Sequence, residues 1–340
     1  MGRPTVHDIA RAAGVSLATV DRVLNGRAGV RPDTIRRVTT AITTLGYVRD
    51  VAAANLARQR SFAFAFLIPD RDTAILAALR AEILALRDHA RMDRITLSLV
   101  DVPAESPSAV AAAMDRLIDA GVDGVAVLAV ETPQVRDAIR RARAGGIRVV
   151  TLVSDLPLSD RDNFVGINNI AAGRTAGLLM GRFAGARTGS ILVLATSMLA
   201  RDNAERRSGF DAILKEEFPH LKVLPTLECH DDAGLIRTLV PATLAAHPET
   251  IGLYSVGAGN RSLIPVLGAQ PRALITIAHD LSPHVRAALQ DGTFDAVITQ
   301  DTGHIIRSAT RILRAHVEGR DIIATQERIR LDVILKENLP

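Results

Sequence analysis

A chain of 340 residues is too long for one small domain, and 48% hydrophobic with 23% charged residues is the balance of a globular protein with a sizeable core. The longest apolar runs, FAFAFLI and GVAVLAV, are less than half a membrane span, and the opening MGRPTVHDIAR has no apolar signal core. The single cysteine, Cys229, excludes an intramolecular disulfide framework. Together these features predict a cytoplasmic protein with no membrane partner. The net charge of +4 is unevenly spread: residues 1–60 hold ten arginines against four aspartates, a net +6, while the remainder holds 31 basic against 33 acidic residues. Positive charge gathered on one module predicts a polyanion partner, because arginines neutralise phosphates and release their counterions. With two tyrosines and no tryptophan, aromatic stacking on a ligand is scarce.

Residues 5–13 place Val6, Ile9, Ala10 and Ala13 at helical spacing. Gly14-Val15 make a tight turn, Ser16 has the chemistry of an N-cap, and Asn25-Gly26 close a second short helix whose Val20, Val23 and Leu24 face a core. Pro32 opens a third helix with Ile35, Val38, Ile42 and Leu45 on one stripe. Three short helices, the first two joined by a glycine turn, predict a helix-turn-helix over residues 1–46, the second helix entering the DNA major groove. Residues 47–60 read as a linker whose VAAANLAR is helical by propensity but too short to hold a helix alone.

From residue 61 strand-like runs alternate with amphipathic helices: FAFAFLI, helix 72–90, ITLSLV, helix 107–120, GVAVLAV, helix 133–144 and IRVVTLV. After a break at 155–163 come FVGI, helix 169–184, SILVLA, helix 203–217, KVLPTL, helix 233–246, TIGLYSV, helix 260–268, ALITIA, helix 282–291, AVITQ and helix 302–318. The alternation predicts two parallel sheets with helices on both faces.

Ligands of such folds bind beyond the carboxyl ends of the strands. Those ends carry Asp70-Arg71, Asp101, Glu131, Asp155, Asp280 and Gln300, with Arg206 and Asn260 at helix starts. Carboxylates, amides and arginine forks suit a polyhydroxylated ligand, although Asp and Asn also favour turns and caps for structural reasons. VGAGNRS resembles a dinucleotide fingerprint through Gly257, Gly259 and the later Asp280, but its third glycine position is Ser262, so an NAD-dependent oxidoreductase is a weak alternative. No nucleophile elbow or phosphate loop is present, the nine histidines lack metal spacing, and a buried inert thiol is the ordinary reading of Cys229. The chain reads as no enzyme, with neither cofactor nor metal.

TVHDIARAAGVSLATVDRVLNG, followed by VRPDTIRRV and LGYV, resembles the amino-terminal signature of the LacI/GalR family of bacterial transcription regulators, and the likeness extends over the whole chain. The resemblance implies an all-α helix-turn-helix headpiece on an α/β core of two parallel-sheet Rossmann-like subdomains, the type I periplasmic binding protein architecture. It places subdomain 1 at about 61–160 plus 300–323 and subdomain 2 at about 161–299 plus 324–340. It implies a homodimer on a pseudo-palindromic operator, most simply a repressor, with a small sugar, polyol or sugar acid as effector. A solute-binding protein is the alternative, which the headpiece charge disfavours. The absence of a leucine heptad before KENLP points to dimers instead of tail-linked tetramers.

By the same resemblance the DNA-binding set is Thr5, Ser16, Leu17, Ala18, Thr19, Arg22, Asn25, Arg31, Asn55 and Leu56. Arg22 would fork onto a guanine, Leu17 or Ala18 would touch a thymine methyl, and Leu56 would wedge into the minor groove. Asp21 departs from the family's usual serine; it would accept from a cytosine amine or hold Arg22. Arg49-Asp50 replaces the usual Pro-Asn. In the core, ERRSGF puts Arg206 on the effector; Asn260, Asp280 and Gln300 match by strand-end context, and Asp70, Arg71 and Asp155 match more loosely, with Glu131 from its strand end. DTAILAALRAEI lacks the aromatic pair of many sugar-binding relatives, which favours a smaller or acyclic polyol, or an acidic sugar gripped by Arg71 and Arg206.

Overall fold

The computed structural model describes residues 4–47, 61–104, 106–257, 259–271 and 273–340. The chain divides into two units, Met1–Arg60 and Ser61–Pro340. In the first, α1 (Val6–Ala13) opens at a reciprocal cap in which Thr5 and Asp8 each satisfy the other's backbone N–H. Gly14, in the left-handed conformation at φ 60°, ends it. Helix α2 (Leu17–Leu24) starts at Ser16, whose Oγ accepts from Thr19 N at 3.2 Å, the expected cap. Helix α3 (Pro32–Leu45) supplies Val38 and Ala41 to a core of Ile9, Ala10, Ala13 and Val20, and Arg37 clamps the α1–α2 turn by donating to Gly14 O at 3.0 Å. Val6 and Ile35, which share the apolar spacing of their helices, are exposed, because a three-helix core this small closes over only one narrow stripe of each helix.

The second unit holds two sheets. Strands β1 (Phe62–Asp70), β2 (Ile95–Pro103), β3 (Gly124–Val127), β4 (Arg148–Leu152) and β5 (Asn163–Val165) form the first, in the order β2-β1-β3-β4-β5, all parallel. Helices α4 (Ala74–Ala90), α5 (Pro107–Asp119) and α6 (Pro133–Ala144) connect its strands. Strand β5 joins this sheet beyond the expected division near residue 160, pairing Leu152 with Val165. The second sheet runs β11-β10-β9-β8-β6-β7, from β6 (Gly189–Ala195), β7 (Leu221–Glu228), β8 (Thr250–Ser255), β9 (Ile275–His279), β10 (Ala296–Gln300) and β11 (Leu331–Ile334). Its helices are α7 (Asn169–Ala184), α8 (Arg201–Glu217), α9 (Ala233–Ala246), α10 (Asn260–Gly268) and α11 (Pro283–Asp291). Strand β11, antiparallel to β10, was not expected from the sequence. Helix α12 (Thr302–Glu318) follows β10 of the second sheet yet packs on β3, β4 and β5 of the first, so the chain crosses between lobes.

Helices α7 and α8 pack at unusually short range. They meet along Gly173, Gly177 and Gly181, where a Cβ on Gly173 would lie 1.9 Å from Arg206 O. Across the same contact a Cβ on Gly209 would lie 2.1 Å from Ile170 O. The approach is backbone to backbone, so no side-chain rotamer can relieve an added methyl. Gly209→Ala is expected to lower core stability by about 1–3 kcal/mol in urea unfolding, whereas Gly268→Ala, at the open end of α10, should leave the midpoint unchanged or slightly raised.

Candidate functional site

In the first unit, Ser16, Leu17, Ala18, Asp21 and Arg22 share the exposed face of α2, opposite buried Val20. Leu17 is 43% exposed on this face. Thr19 is half-buried and its Oγ1 lies 2.9 Å from Ser16 Oγ. Thr5 caps α1, and Arg31 precedes α3 without a side-chain cap bond. Asp21 accepts from Asn25 Nδ2 at 2.7 Å and pairs with Arg27 at 3.5 Å, so it organises the C-terminal end of α2 in place of holding Arg22. Asn55, Leu56, Arg49 and Asp50 lie outside the described residues.

In the second unit the carboxyl ends of both sheets face a cavity of about 390 Å³. Arg206, on α8, is the centre of its polar side and only 2% exposed. Its Nε donates to Asn169 Oδ1 and its Nη1 to Val256 O, each at 2.9 Å. Asn169 in turn donates to Val153 O at 3.2 Å, tying the arginine's support to the end of β4. Asp280, in the left-handed conformation at φ 65°, also lines the cavity. Burial pushes its carboxyl upward; the Arg206 charge opposes this and the Asp202 charge reinforces it. Arg71, from the first lobe, pairs at 3.6 Å with Asp231, from the second, across the cavity. Asp231 also accepts from Gly259 N at 2.9 Å.

The other expected effector residues lie outside this lining. Asp70 points outward, 3.9 Å from Arg80. Glu131 accepts from Leu158 N at 3.0 Å and pairs with Arg201 at 3.9 Å. Asp155 is gripped by both faces of the Arg161 fork, with Thr151 Oγ1 donating at 2.9 Å, and these bonds hold its carboxyl below the usual range against the burial that would raise it. Gln300 sits behind, near Asp280, its buried carboxamide without a well-formed hydrogen bond. Asn260 lines an adjoining cavity and is bound internally, accepting from Ser255 Oγ at 2.7 Å and donating to His279 O at 2.9 Å. Arg71, Arg206 and Asp280 are therefore the expected residues brought together. Asp202, Asp231 and Asn169 were missed; Asp231 follows the end of β7, and the strand-end position that marked the other candidates could have found it. Cys229 is buried, and burial raises its thiol to about 11.

Residues 64–321 match the model of the periplasmic binding protein domain, and residues 5–50 that of bacterial regulatory proteins of the lacI family. Catabolite control protein A of Staphylococcus xylosus is 31% identical over 139 residues, 41% of each chain. The HTH-type transcriptional regulator GalS of Salmonella typhimurium is 47% identical over 75 residues, 22% of each. The matched stretch thus spans less than half the length of these relatives. Among solved structures, a Burkholderia graminis ABC-transporter solute-binding protein in complex with D-arabinose is 26% identical with a TM-score of 0.74, over 82% of this chain and 96% of that one. The glucose-galactose binding protein GanP of Geobacillus stearothermophilus, 20% identical over 83% of this chain and 99% of its own, shares the fold with a TM-score of 0.74. No helix among the described residues is long and apolar enough to cross a membrane.

The buried carboxyl and the buried thiol have measurable consequences. A carboxyl whose folded value lies above its unfolded value, about 3.9, destabilises the fold when ionised, a cost absent at lower pH and complete above the folded value. Asp280→Asn is therefore expected to raise stability at pH 7, with the difference from wild type vanishing below pH 4 in pH-resolved thermal unfolding. A thiol raised to about 11 carries little thiolate at pH 8. Cys229 should then resist an aromatic disulfide reagent in the native protein and react promptly in denaturant.

Proposed function

The chain belongs to the lacI family of bacterial regulatory proteins and carries a periplasmic-binding-protein core; on that premise we propose that it is an operator-binding transcriptional repressor controlled by a small sugar-like effector. The observation that carries this reading is the union in one chain of an amino-terminal unit with a net +6 charge and an exposed α2 face with a two-lobed cleft centred on a buried arginine. The α2 face supplies an arginine fork and two small apolar contacts for base edges, and the cleft supplies Arg206 and Asp280 for paired hydroxyls. Effector binding shifts the balance between arrangements of the lobes, and through it the affinity for DNA, by as much as the effector prefers one arrangement. A homodimer on a pseudo-palindrome, in the cytoplasm, completes the reading.

The test uses an operator selected from random-sequence DNA by the full-length protein. Arg22→Ala is expected to cost about 1–3 kcal/mol and to relax preference at one position of each half-site. Arg206→Ala should retain operator binding and lose the response to effector. An Arg206→Ala protein that folds, binds operator and responds normally would show that the cleft is not the sensor.

A further inference from the structure

The two walls of the cleft differ in chemistry. The first lobe contributes an aliphatic surface that includes Ile75, Leu76, Val102, Val110, Leu128 and Val130. Its hydroxyls are Thr73, Ser106 and Thr132, N-caps that accept from Leu76 N, Ala109 N and Val135 N at the helix starts, and Ser154, which accepts from Asp202 N at 3.3 Å. Among the described residues, the only charged side chain on this wall is Arg71, which is paired with Asp231. The opposite wall carries Asp202, Arg206, Asp231 and Asp280 together with Asn203 and Ser197. No aromatic residue among those described lines the cavity.

The charge balance restricts the ligand further. Two arginines face three aspartates, and each arginine already has carboxylate or carbonyl acceptors within the protein. A carboxylate or phosphate entering the cleft would meet three aspartates against two arginines that are already partly compensated by acceptors within the protein. Neutral hydroxyls meet the reverse situation, since carboxylates and an amide accept from them and the arginine donates. A hydroxyl turned toward the patch of Ile75, Leu128 and Val130 loses its water and gains no partner from those side chains, whereas a methyl group there is buried favourably.

We infer that the effector is a neutral sugar with one hydroxylated edge and one apolar edge, of the 6-deoxyhexose kind, its hydroxyls directed to Arg206 and Asp280 and its methyl edge to Ile75, Leu128 and Val130. The inference rests on the reading of this cleft as the site of a sugar-type effector, and it narrows that reading against the acidic sugars that Arg71 and Arg206 suggested from the sequence. Arg71 closes the cleft by its pair with Asp231 and is not the anchor for an anion.

The experiment is calorimetric titration of the full-length protein with sugars matched in everything but the oxygen at C6, L-rhamnose against L-mannose and L-fucose against L-galactose, beside D-galacturonate, D-gluconate and glucose 6-phosphate. One 6-deoxy sugar is expected to bind about 10- to 100-fold more tightly than its matched hexose, with no heat from the acids. The Ile75→Asn protein should lose most of that ratio while still binding operator. Equal or tighter binding of the matched hexose, or binding of an acid, overturns the inference and leaves the sugar-effector reading standing. A ratio unchanged by Ile75→Asn shows that the aliphatic wall does not read the ligand and overturns it too. Silence from neutral and acidic sugars alike overturns both, with operator binding scored independently.

Discussion

A guanidinium cannot give up its charge, so burying one obliges the protein to surround it with acceptors. Arg206 is that obligation here, and much of the cleft is arranged to meet it. Asn169 at the start of α7 takes one N–H, the Val256 carbonyl at the end of β8 takes another, and the Asp280 carboxyl at the end of β9 lies within reach of the charge, which opposes part of the upward push of burial on that carboxyl. These groups come from separate strand–helix units, and they meet because α7 and α8 approach backbone to backbone along glycines. The small-residue face of α7 therefore acts on the chemistry of the site indirectly, by deciding where the arginine stands.

The same arrangement links the lobes. Asn169 accepts from Arg206 and donates to the Val153 carbonyl, so the arginine's support reaches the strand end of the first sheet through one side chain. Val153 itself stands at φ 61°, a conformation costly for a β-branched residue, at the point where the chain leaves β4. Arg71 and Asp231 make a second connection nearer the cavity. A ligand that engages Arg206 acts on groups that already span both lobes. Such a ligand would favour one arrangement of the lobes to the extent that its contacts with these groups differ between arrangements.

In the amino-terminal unit the constraint is smallness. A core of a few side chains leaves Leu17 and Ile35 exposed, and local polar bonds do the positioning: the Thr5–Asp8 cap, the Ser16 cap, and the Arg37 clamp on the α1–α2 turn. Asp21 fits this pattern. Its carboxylate binds Asn25 and Arg27 and so shapes the end of α2, leaving Arg22 to project separately.

The sequence made most of the elements and their alternation legible, because burial periodicity, caps and turn residues act within a few positions along the chain. It offered Ser16 as a cap by its local chemistry, and Arg206 for the effector through the family resemblance of ERRSGF. It misplaced Asp70, Glu131 and Asp155, since whether a strand-end carboxylate faces a ligand depends on an arginine standing nearby in space: Arg80, Arg201 and Arg161 are the partners, and no spacing rule reveals all three. It missed β11, a four-residue strand whose pairing is antiparallel and thus outside the strand–helix rhythm. That Arg71 pairs with Asp231, and that one wall of the cleft is largely aliphatic, emerges only when the chain is folded. Both are properties of surfaces assembled from residues far apart in the chain, where charge compensation and desolvation are settled by neighbours in three dimensions.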